Sequence, residues 1–104
     1  MTAVSVFQAL GDPTRAELVR TLARVDSASE RALAEPLPIS RQAVAKHLAV
    51  LRRSGVVTAA RVGRETRYRL DPAGLDGARE WLAAIGAEWE RQLRLVRRAA
   101  EHDG

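Results

Sequence analysis

Cysteine is absent from this 104-residue chain. That excludes disulfides, thiolate metal sites and cysteine nucleophiles together, and it fits a reducing, cytoplasmic setting. Aromatic residues make up only 4% of the sequence. A core must therefore be built from Leu, Val, Ile and Ala, and few side chains are available to stack on unpaired bases. No apolar run approaches the roughly 20 residues of a membrane-spanning helix, and no charged-then-apolar leader opens the chain. The expectation is a cytoplasmic protein with no membrane contact. Histidine occurs only at His47 and His102. His102 has Glu101 and Asp103 for neighbours at the very end of the chain, without the paired spacing of a zinc site, so neither a metal nor a cofactor is expected. Without a glycine-rich phosphate loop or a nucleophile paired with a base, no enzyme is expected either.

What the chain does contain is arginine and aliphatic residues. Apolar residues are 46% of the total, enough for one packed core, and the length suits a single domain spanning 1–104. Of the 17 basic side chains only one, Lys46, is lysine. The charge is unevenly spread. Residues 40–69 carry eight Arg or Lys and one acid, Glu65, a local net of +7, while the rest of the chain sums to −3. A positive face concentrated in one third of a small domain is the footprint of a polyanionic partner.

Periodicity places this basic third on identifiable elements. Residues 3–10 read as a short helix with Val6, Phe7 and Leu10 apolar. Asp12 and Pro13 supply the cap and first position of a second helix, running to about Val25 with Leu18, Val19, Leu22 and Val25 on one face. Ser27 and Glu30 have capping-box spacing for a third helix, which carries Leu33 and Leu37 and stops at Pro36 and Pro38. Ser40 caps a fourth, closed by Gly55. From Val56 the period becomes two. Strands at 56–62 and 65–70 flank a tight tip at Gly63. The pattern puts Val56, Thr58, Ala60, Val62, Thr66, Tyr68 and Leu70 on one face and Arg61, Arg67 and Arg69 on the other. A last helix starts at Pro72, with a possible break near Gly77, and reaches about Ala99 before a frayed tail. The predicted class is mainly α with a β-hairpin wing: a winged helix-turn-helix of order α-α-α-α-β-β-α.

On a helical wheel of residues 41–53, Val44, Leu48 and Leu51 form a buried stripe. Gln42, Lys46, Ala49 and Arg53 point the opposite way, bordered by Arg41, Ala45 and Arg52. Long donors interleaved with alanines let a helix approach base edges closely. Gln42 in the first turn matches adenine, Arg41 matches guanine or a phosphate, and Ala43 fits a thymine methyl. Ser40 at the helix start and Arg53 near its end suit phosphates, and His47 at the edge of the stripe reads as a half-buried packing or phosphate-bonding histidine. Lys46, one turn beyond Gln42, can share its charge between a guanine edge and a phosphate. At the wing, Arg61, Arg64 and Arg67 are the further candidate contacts. On the last helix Trp81, Leu82, Ile85, Trp89, Leu93 and Val96 fall along one side, more apolar surface than so small a core needs.

The stretches ALGDPTRAELVRTL (9–22), LAEPLPISRQAVAKHLAVLRRSGVV (33–57) and RVGRETRYRL (61–70) together resemble the ArsR-type winged helix-turn-helix transcriptional regulators, here a cysteine-free variant. Order and spacing match over residues 3–71. The resemblance implies a sequence-specific regulator, a repressor in the usual case. It would bind a palindromic double-stranded DNA operator as a homodimer through the 40–54 helix and the 56–70 wing. It also implies that the first and last helices make the dimer, with Phe7, Trp81, Leu82, Ile85, Trp89 and Leu93 at the contact and residues 72–99 as the dimerisation helix. It names no effector for a chain without the family's metal-binding cysteines. The alternative reading is a winged-helix module that binds protein or RNA without operator specificity. The +7 segment disfavours the first of these, and Tyr68 as its lone aromatic disfavours the second.

Overall fold

A computed structural model describes residues 2–102. Helix α1 (Ala3–Leu10) begins where the Thr2 hydroxyl accepts the Ser5 N–H. Helix α2 (Pro13–Ala23) begins where the Asp12 carboxylate accepts the Arg15 N–H at 3.0 Å, with Pro13 at the position that needs no donor. It stops two residues short of the expected end, which leaves Val25 exposed rather than on the core face.

The third helix departs from its expected start. The cap is Ser29, whose hydroxyl accepts the Ala32 N–H at 3.1 Å, so α3 spans only Glu30–Ala34. Ser27 is not part of a capping box. Residues Ala28–Ser29 instead form a two-residue strand, β1, paired antiparallel with the wing. The order is therefore α-α-β-α-α-β-β-α. Two residues are too few to show an alternating pattern.

Helix α4 (Arg41–Arg53) starts at Ser40, whose hydroxyl accepts the Ala43 N–H. Its end is a Schellman motif. Gly55 takes φ = 81°, its N–H reaches the Arg52 carbonyl, and the Val56 N–H reaches the Leu51 carbonyl. Val56 and Leu51, both fully buried, supply the apolar contact that accompanies this turn.

Strands β2 (Val57–Val62) and β3 (Glu65–Leu70) form the wing, and the sheet order is β1-β3-β2. The tip is a two-residue turn with Gly63 first at φ = 62°, as a type II′ hairpin requires. The register corrects the expected faces of β2. Val57 faces Leu70, Ala59 faces Tyr68 and Arg61 faces Thr66. Val57, Ala59 and Arg61 thus share a face with Tyr68. Thr58, Ala60 and Val62 share the other with Arg67 and Arg69. Arg61 and Arg67 lie on opposite faces because β2 begins one residue later than the apolar run suggests.

The core is the junction of these elements: Leu18 and Leu22 from α2, Leu33 from α3, Val44, Leu48 and Leu51 from α4, and Val56, Val57 and Tyr68 from the wing root. Helix α5 (Pro72–His102) runs unbroken through Gly77 and past Ala99, while residues 103–104 of the expected tail lie outside the described part. At 31 residues it is about 46 Å long. Its N-terminal end, as far as Trp81, packs on α1, and its only buried residue is Ala78. From Arg79 to His102 every side chain except that of Leu93 is exposed.

Candidate nucleic-acid interface

The helix-turn-helix is α3 and α4, and α4 presents its polar side outward as the wheel predicts. Val44, Leu48 and Leu51 are 0% exposed, whereas Gln42, Lys46 and Arg53 are exposed and Ala43, Ala45 and Ala49 half-buried. Burial of the apolar stripe fixes the rotation of the helix, and this rotation sets the outer row. Ser40 keeps its hydroxyl for the cap, so what it offers a phosphate is the free N–H end of the helix rather than its side chain.

Across from the start of α4 stands the wing. A cleft of about 310 Å³ between them is lined by Arg31, Arg41, Arg61 and Arg64, with Glu30 and Glu65 also on its walls. Arg41 is held loosely toward Glu30 at 3.8 Å and stays exposed. Arg31 was not anticipated. It lies on a short helix with no run of basic residues, and only the fold turns it toward the wing.

Among the described residues, Gln42, Lys46, Arg53, Arg61 and Arg64 make no side-chain hydrogen bond or ion pair. They are exposed donors without an internal partner. Arg67 and His47, by contrast, already have internal partners, and the half-buried His47 fits the packing side of its expected role. The Arg67 guanidinium donates to the Ser27 hydroxyl at 3.0 Å and to the Ser27 carbonyl at 3.2 Å, and pairs with Glu65 at 3.3 Å. It fastens the wing to the segment before β1. His47 turns its Nδ1 to the Arg15 guanidinium at 3.2 Å, with Asp12 at 3.8 Å. Its partner is 32 residues earlier, a contact no local pattern reveals. Arg69, on the central strand β3, pairs with Asp26 at 3.1 Å.

Two titratable groups record this packing. The Arg15 N–H holds the Asp12 carboxyl below the usual carboxylate range; burial opposes this, and the Arg15 charge adds to it. Burial pushes the Tyr68 hydroxyl up, Glu30 raises it further, and Arg52 opposes. Among the described residues no three His, Cys, Asp or Glu side chains gather, and no helix is long and apolar enough to cross a membrane.

The expected dimer residues separate into two groups. Phe7 and Trp81 meet each other within the chain, and beside them Leu10, Pro72, Leu75 and Leu82 line an apolar groove of about 520 Å³. Farther along α5, Ile85, Trp89 and Val96 are exposed with nothing against them, Leu93 is half-buried, and Leu95 adds an exposed apolar side chain the sequence reading omitted.

The helix-turn-helix domain family matches residues 10–59. The HTH-type transcriptional regulator Rv2034 of Mycobacterium tuberculosis is 40% identical over 87 residues, covering 84% of this chain and 78% of that protein. The arsenic resistance transcriptional regulator ArsR1 of Pseudomonas putida is 31% identical over 94 residues, covering 80% of this chain and 73% of its own. An ArsR-like transcriptional regulator from Rhodococcus superposes with a TM-score of 0.81 at 46% identity, covering 94% of this chain and 92% of that one. With a partner-free row of donors on the helix after the turn and on the wing, this chain belongs to the ArsR family of winged helix-turn-helix DNA-binding transcriptional regulators.

Proposed function

We propose that the chain is a homodimeric repressor that reads a palindromic operator, with α4 in the major groove and the wing on the flanking backbone. The observation that carries this is the row Gln42, Lys46 and Arg53, exposed and without internal partners, on the side of α4 opposite its buried stripe. Gln42, Ala43 and Arg41 are the base-reading group, Lys46 bridges base edge and phosphate, and Arg53, Arg61 and Arg64 hold phosphates. His47 and Arg67 stand behind this surface, through their contacts to Arg15 and Ser27.

Dimerisation rests on α5. The chain has a radius of gyration of 18.9 Å, against about 13 Å for a compact domain of its length. Beyond the buried Ala78, the exposed Leu82, Ile85, Trp89 and Val96 follow steps of three, four and seven residues along α5. This spacing is the stripe that a second helix covers, with the polar Gln92 at one of its positions. A two-fold axis through α5 would set the two reading helices about one DNA turn apart, roughly 34–36 Å. Repression follows if the operator overlaps a promoter. Neither metal nor cofactor enters this reading.

Selection of bound duplexes from random DNA tests the whole reading. The expected result is a palindrome with half-sites one helical turn apart, bound more tightly than its scrambled duplex in a fluorescence titration at physiological salt. Equal affinity for the two duplexes would overturn it.

A further inference from the structure

Arg15 sits at the N-terminus of α2, half-buried, and its guanidinium reaches in two directions. On one side Nε donates to the Ala9 carbonyl at 2.6 Å, and Nη2 lies 3.5 Å from the Gln8 carbonyl. These carbonyls belong to the last turn of α1, where a helix has no N–H donors of its own left to satisfy its acceptors. On the other side Nη1 meets His47 Nδ1 at 3.2 Å on α4. Asp12 completes the junction: its carboxylate accepts the Arg15 backbone N–H at 3.0 Å and lies 3.8 Å from His47. One planar cation thus joins the C-terminus of α1, the N-terminus of α2 and the middle of α4. Guanidinium suits this because its donors are fixed in one plane and point to several acceptors at once; an ammonium would serve only one side well.

Helix α1 packs on α5, the element with the unpaired apolar side. Lys46, an outward-facing donor of α4, is the residue directly before His47. We infer that Arg15 is a positioning residue for DNA recognition: through His47 it ties the rotation and depth of α4 to α1, and so to the α1–α5 face. This rests on the proposed reading of α4 as the groove helix. In this arrangement His47 acts from behind the reading surface, and its Nδ1 is an acceptor for Arg15 rather than a donor to DNA.

The rival role for Arg15 is a simple cap on α1. The two roles differ in what His47 should do. A cap on α1 is indifferent to the His47 side chain and tolerates lysine, whereas a junction needs an acceptor on α4. The test uses the full chain with Arg15→Lys, Arg15→Ala, His47→Asn, His47→Leu and the Arg15→Ala/His47→Leu double variant. Each is titrated with the duplex selected by the unaltered protein and with a scrambled duplex, and its mass and melting curve are recorded. Expected is a loss of about tenfold in operator affinity for Arg15→Ala, Arg15→Lys and His47→Leu, with scrambled binding nearly unchanged, the size of one lost charge-assisted hydrogen bond. His47→Asn, which keeps an acceptor near the Nδ1 position, should retain most of the operator affinity. The double variant should be no worse than either single, the signature of a shared interaction.

Additive losses, rescue by lysine, or an operator affinity untouched by His47→Leu would overturn the junction. Should Arg15→Ala melt the fold, the comparison of His47→Leu with His47→Asn still decides. Failure of the unaltered protein to discriminate the two duplexes would instead indict the reading of α4 itself.

Discussion

The rings of Phe7 and Trp81 meet edge to face, with centroids 5.3 Å apart and planes 63° apart. This geometry sets the positive edge of one ring against the negative face of the other. It latches α5 to α1 within one chain, and beyond the latch the described side chains of α5 are exposed except for the half-buried Leu93. Trp81 and Trp89 therefore have different jobs despite their i, i+8 relation on one helix. Trp89→Ala should leave the fold intact and shift the protein to monomer in sedimentation velocity, because it removes only exposed surface. Trp81→Ala should in addition lower thermal stability by at least the roughly 0.5–1.5 kcal/mol that an aromatic pair contributes beyond its area. An intact dimer in Trp89→Ala would move the interface off this side of α5.

The reading helix gives the next expectation. Gln42→Ala should cost about 1–3 kcal/mol on the best operator and relax preference at one base position, leaving other positions as they were. Lys46→Ala should weaken operator binding more than Arg69→Ala does. Lys46 is free and mid-face, whereas Arg69 is already paired with Asp26 at 3.1 Å. Selection with each variant, followed by titration at fixed salt, reads both effects.

The wing arginines divide by partner. Arg64, beside Gly63 at the tip, is exposed and unpaired, so Arg64→Ala should weaken all duplexes alike and flatten the salt dependence of log K by about one unit. Arg67 is spent on Ser27 and Glu65. Arg67→Ala should leave the salt slope in place and instead lower the stability read from melting curves, by roughly 0.5–1.5 kcal/mol for each hydrogen bond lost. Ser27→Ala should reproduce part of that stability loss, a check independent of DNA. A slope change in Arg67→Ala would return Arg67 to the contact surface.

The four long elements were legible because each has a local cause. Asp12, Ser40 and Gly55 stop and start helices through hydrogen bonds within a few residues, and the α4 stripe needs only its own period. The free donors of α4 were legible for the same reason, since a buried stripe dictates its opposite face. What escaped was set at long range. Strand β1 exists because Ala28 and Ser29 find Tyr68 and Arg67, and this pairing draws the helix cap from Ser27 to Ser29. The register of β2 was off by one because Val56 and Val57 are both apolar and both buried. Val56 belongs to the helix-ending turn, not to the alternation. Arg67 looked like a contact because composition marks it as basic, and the edge of the stripe left His47 between packing and phosphate bonding. Only partners 32 and 40 residues distant show what holds each side chain.

The junction of α4 and α5 offers a stability test with its own control. A Cβ added at Gly74 would lie 1.9 Å from the Gly55 carbonyl oxygen and 2.7 Å from its carbon. Both are backbone, in the Schellman turn that closes α4, so neither can swing aside. Gly74→Ala must push the first turn of α5 away from that turn, and it should destabilise by about 1–3 kcal/mol, the range for overpacking. Gly77, one turn later and exposed, has nothing within 4 Å of an added Cβ. Gly77→Ala should therefore stabilise by roughly 0.5–1 kcal/mol, since alanine loses less freedom than glycine on entering a helix. Melting curves of the two variants should move in opposite directions. Because α5 also carries the exposed apolar side, Gly74→Ala should further weaken operator binding, by changing how the two α4 helices of a dimer are spaced. Unchanged stability in Gly74→Ala would mean that α5 does not rest on the Gly55 turn.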